Sequence, residues 1–86
     1  MKIISIKLAG MECDQDLAKA LARQVAEKLN PETICISWHN SISKAQSSCC
    51  LGHMHGDRPA WEVYGEGHGG TVRIDVNDGE YSFVFS

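Results

Sequence analysis

The chain has 86 residues, 43% of them hydrophobic and 22% charged, a length that closes around one core and a composition that excludes a disordered chain. Eight basic residues against eleven acidic ones give a net charge of -3, and the cations, Lys2, Lys7, Lys19, Arg23, Lys28, Lys44, Arg58 and Arg73, are dispersed. That spacing builds no nucleic-acid footprint, and no window approaches the roughly 20 apolar residues of a membrane-spanning helix. We expect one domain over residues 1–86, without linker, nucleic acid or membrane.

Ile4, Ile6 and Leu8 alternate with Ser5 and Lys7, the period of a half-buried strand ending at Gly10. Leu17, Leu21, Val25 and Leu29 then fall four apart, with Ala18 and Ala22 widening the stripe, which predicts an amphipathic helix from Asp14 or Asp16 to Leu29. Asp14 is its natural N-cap, and Asn30-Pro31 stops it because the residue before proline avoids the α region. Thr33–His39 reads as a second strand, with Ile34, Ile36 and Trp38 on one face and Cys35, Ser37 and His39 on the other. Ala60–Tyr64, Thr71–Val76 and Glu80–Phe85 are three further strands, the last two joined by the turn signal Asn77-Asp78-Gly79. Trp38 and Trp61 then belong to core or interface.

These elements describe an α+β domain of two layers. One main helix lies on a mixed sheet of about five strands, β-α-β followed by an antiparallel meander, with the first two strands parallel. Asn40 to Pro59 is too long for an ordinary connection, and Ser43-Lys44-Ala45-Gln46 has the form of a capping box, so a short helix over 44–51 ending before Gly52 is expected there.

The same segment holds the densest chemistry. Cys49, Cys50, His53 and His55, with Met54 among them, are the soft and borderline donors that take zinc or another transition metal. Four ligands within seven residues crowd one ion, so a further donor from His39, His68 or Cys35, or from a second subunit, is expected to complete the set. Two other features carry less. Gly65-Glu66-Gly67-His68-Gly69-Gly70 resembles a phosphate loop but joins two predicted strands, and no helix follows to receive the phosphate. Cys13 precedes the main helix, but Glu12, Asp14 and Asp16 oppose its thiolate.

Met1–Gly10 lacks the continuous apolar core of a signal peptide, so we expect a cytoplasmic protein whose four cysteines are free thiols, metal ligands or transient redox partners. The sequence contains no Cys-x-x-Cys and no nucleophile elbow. It reads as a small binding domain for a metal, small ligand or protein partner through residues 49–55. The alternatives are a thiol-redox or metal-assisted enzyme, or a purely structural module. Two sheet edges and a face that one helix cannot cover point further to a homodimer.

Overall fold

In the computed structural model, which describes residues 1–46, 54–55 and 58–86, the alternating Ile4 and Ile6 build strand β1 (Lys2–Ile6). Helix α1 (Gln15–Leu29) starts where expected: the Asp14 carboxylate accepts the Leu17 N–H at 2.8 Å, and Asn30 closes its other end. Strands β2 (Cys35–Asn40) and β3 (Ala45–Gln46) follow, then a two-stranded ribbon of β4 (Met54–His55) and β5 (Arg58–Pro59). Helix α2 (Ala60–Gly67) leads to the terminal hairpin of β6 (Val72–Val76) and β7 (Tyr81–Phe85). Asn77, Asp78 and Gly79 turn that hairpin with φ of 52°, 58° and 91°, the left-handed conformations their types tolerate.

The α+β class and the mixed five-stranded sheet are as expected, but the strand order is β1-β6-β7-β2-β3. The first two strands run in the same direction, as expected, with β6 and β7 between them. β1 runs parallel to β6, Ile4 opposite Ile74, and every other pairing in the sheet is antiparallel. The most apolar strand takes the centre: all five residues of β7 are buried, a position that pays only where both faces of the sheet are covered.

Both faces are. α1 lays Ala18, Ala22 and Ala26 on Val72, Ile74, Val76, Tyr81, Phe83 and Phe85, with Ile4, Ile6, Val25, Cys35 and Trp38 around them. The alanines, rather than the predicted leucine stripe, make the closest approach, and Leu29 is left 51% exposed. α2 covers the opposite face, packing Ala60, Trp61 and Tyr64 around Val84. This adds a partial third layer where a third strand was expected over Ala60–Tyr64. Ala60, Trp61 and Tyr64 pack on one side together, whereas a strand would turn the neighbours Ala60 and Trp61 to opposite faces.

Two further expectations fail for local reasons. The capping-box sequence is half turn and half strand, with Ala45 and Gln46 extended and paired to Asn40 and His39. The Asn40 side chain accepts the Ile42 and Ser43 N–H groups, and Lys44 adopts a φ of 61°, which makes a tight reversal where a helix start was predicted. The remainder of the predicted short helix lies outside the described residues. In β2 the register shifts between Cys35 and Ser37, leaving Ile36 as the extra residue of a bulge. Cys35 and Trp38 thus point to α1, while Ser37 and His39 point to α2.

Candidate functional site

The register of the five strands aligns Ser5, Asp75, Ser82, His39 and Gln46 in one row on the α2 face. Trp61 of α2 lies over the middle of that face. The His39 ring is stacked on it at 5.5 Å between centroids and 6° from parallel, and the Arg73 guanidinium carbon is 5.1 Å from its centroid. The indole thus contacts both an imidazole and a cation.

Arg73 is itself held from two sides. Its Nε and Nη2 donate to Asp75 at 2.9 and 3.1 Å, and its Nη1 donates to Glu62. Burial disfavours the charge, but the hydrogen bonds and charges of Asp75 and Glu62 outweigh it and hold the guanidinium above its ordinary range. Two carboxylates and the indole occupy this cation, so it anchors α2 to the sheet.

His39 differs. Burial alone pushes its pKa down, which favours the neutral imidazole. Among the described residues neither ring nitrogen has a hydrogen-bond partner. The next position in the row, Ser82, is only 2% exposed, and its hydroxyl makes no hydrogen bond to His39 among those residues. Ser37, also on this face, donates to the Trp61 carbonyl at 2.6 Å and fixes the start of α2.

The structure parts the other candidate ligands. His68 caps the far end of α2, where its Nδ1 lies 2.8 Å from the Tyr64 carbonyl and its ring stacks on Tyr64 at 3.8 Å. Its glycine-rich surroundings are the last turn of α2 and a short turn into β6, not a hairpin loop. Cys35 faces α1 and cannot share a site with His39 across the sheet. Burial raises its thiol pKa, with Lys19 and Arg23 pulling the other way. Cys13 is raised by burial and then by Asp14 and Glu80. Cys49, Cys50 and His53 lie outside the described residues, and of His55 the backbone is described, paired with Arg58. Among the described residues no three of His, Cys, Asp and Glu are grouped as metal ligands.

Sequence reasoning missed the Arg73 network and the stacking of His39 on Trp61. Arg73 and Asp75 share a strand face by period two, which was legible; that Glu62 and Trp61 would meet them depended on reading Ala60–Gly67 as a helix.

A family model for a domain of unknown function, DUF5619, matches residues 1–85. The crystal structure of AF1514, a protein from Archeoglobus fulgidus DSM 4304 described as novel, matches with a TM-score of 0.80 at 27% identity, over 100% of this chain and 93% of that one. No curated protein matches the chain.

Proposed function

The chain belongs to the DUF5619 family, and from that premise we propose a small binding domain, not an enzyme, that holds zinc or another transition metal between His39 and the segment bearing Cys49, Cys50, His53 and His55. The observation that carries this reading is the state of His39. Its ring is fixed flat against Trp61, burial favours the neutral form that ligates metal, and its nitrogens are unengaged among the described residues.

Both ends of the cysteine and histidine segment support it. Gln46 is the register partner of His39, and only two residues separate it from Cys49, a span of about 10 Å at most. At the other end Arg58, opposite His55, runs through Pro59 into the helix whose Trp61 stacks on His39. Binding is favoured over catalysis because His39 and Ser82, although register partners, do not form the hydrogen-bonded base and nucleophile that acyl transfer requires. Thiolate ligands fit a reducing, cytoplasmic setting. Among the described residues no helix is long and apolar enough to cross a membrane.

Elemental analysis of protein grown with zinc, copper and nickel, with thiol titration before and after chelation, tests the reading. One metal per chain with chelator-sensitive thiols is expected, and His39→Ala should weaken affinity about tenfold or more. Metal-free protein whose thiols titrate freely and gain no protection from added metal would refute the site; unchanged affinity in His39→Ala would remove the sheet from it.

We also propose a two-fold dimer through the β1 edge, where Met1 and Ile3 are 42% and 60% exposed. Light scattering should give twice the 9.5 kDa chain mass; a monomer mass rejects it.

A further inference from the structure

The outer side of α1 carries a groove of about 310 Å³, lined among the described residues by Asp16, Lys19, Ala20 and Arg23. These positions are three and four apart, so the helical period stacks them along one stripe. Lys19 and Arg23 stand a turn from each other, where like charges repel. Neither has a salt-bridge partner among the described residues, although Asp16 precedes Lys19 by three and Glu27 follows Arg23 by four. Two cations thus stand side by side on an open surface groove, outside ion-pair distance of the described carboxylates, with Asp16 one turn from Lys19. Their field also reaches inward, since both act on the thiol of Cys35 beneath α1.

The groove is open to solvent, so a ligand held there is gripped by charge rather than by enclosure. Paired positive charges match a dianion, and the arginine fork suits the tetrahedral oxygens of phosphate. Ala20, without bulk, leaves room between them. Asp16 lies seven residues from Arg23, about 10 Å along the axis. At that distance it does not cancel the arginine but can accept a hydrogen bond from the organic part of a ligand. We propose that this groove binds a small phosphate monoester, with Lys19 and Arg23 gripping the phosphate and Asp16 receiving a ligand hydroxyl.

The test is a titration of the full chain, labelled for amide NMR, with inorganic phosphate and separately with glycerol 3-phosphate at constant ionic strength. Saturable shifts are expected at the Lys19, Ala20 and Arg23 amides, with the ester bound more tightly. Arg23→Gln should weaken both ligands about tenfold, and Asp16→Asn should weaken only the ester. All three side chains are exposed on the helix, and circular dichroism checks that the variants keep it. Absence of saturable shifts at millimolar ligand, or shifts that persist with Lys19→Gln and Arg23→Gln combined, would overturn the proposal. Equal affinity for the two ligands would support the phosphate grip and overturn the part given to Asp16.

Discussion

Gly65→Ala should detach α2 from the sheet by one methyl group. A Cβ built at Gly65 would stand 2.7 Å from Ser37 Oγ, 2.7 Å from Val84 Cγ1 and 2.8 Å from Val84 Cβ. None of these can retreat easily. Val84 is fully buried on the central strand, and Ser37 Oγ is committed to the Trp61 carbonyl. Overpacking a tight core costs about 1–3 kcal/mol, and three simultaneous contacts place this site in the upper half of that range. The gain in helix propensity from Gly to Ala offsets about 1 kcal/mol. A net loss of about 1–2 kcal/mol remains, a fall in Tm of roughly 5–15 °C for a domain of this size. Gly67→Ala is the control, because nothing lies within 4 Å of its added Cβ. It should be neutral or stabilising by up to about 1 kcal/mol. Urea titrations followed by circular dichroism and Trp fluorescence give both values. A Gly65→Ala protein as stable as Gly67→Ala would refute the close seating of α2.

Removing the Arg73 charge by Arg73→Met should leave Glu62 and Asp75 facing each other, with side chains only 13% and 16% exposed. After allowance for that partial exposure the loss is about 1–3 kcal/mol, and adding Glu62→Gln should recover part of it; an unchanged urea midpoint in the single variant would show the network to be idle. For His39, burial sets the folded pKa below the unfolded value of about 6.5. The unfolded chain therefore binds the proton first, so stability is complete above about pH 6.5 and declines as pH falls from there toward the folded value. His39→Gln should flatten the urea midpoint against pH below neutrality, and a profile identical to that of the unchanged protein would contradict the assigned burial.

What could be read in the sequence was what neighbouring residues decide. The Asp14 cap, the stop at Asn30-Pro31 and the Asn77-Asp78-Gly79 reversal are set within a few residues, and each appears at its predicted place. Longer-range choices were hidden. Ala60–Tyr64 has strand-forming residue types, but it is a helix because burying the neighbours Ala60 and Trp61 together with Tyr64 against Val84 outweighs propensity. The stripe of α1 was legible as a face, yet its centre shifted from leucines to alanines because the sheet beneath already supplies Phe83, Phe85 and Tyr81. His39 was picked out as an auxiliary donor. Its separation from Cys35 was not legible, since alternation assumes an unbroken strand and Ile36 breaks the count.

That extra residue makes β2 two segments with independent parity. Changes at Cys35 and Trp38 are felt by the core under α1, and changes at Ser37 and His39 by the layer under α2. Deleting Ile36 would restore strict alternation and leave each remaining residue on its present face, Cys35 and Trp38 toward α1 and Ser37 and His39 toward α2. Relatives can therefore vary the chemistry of the second layer at Ser37 and His39 without repacking the first.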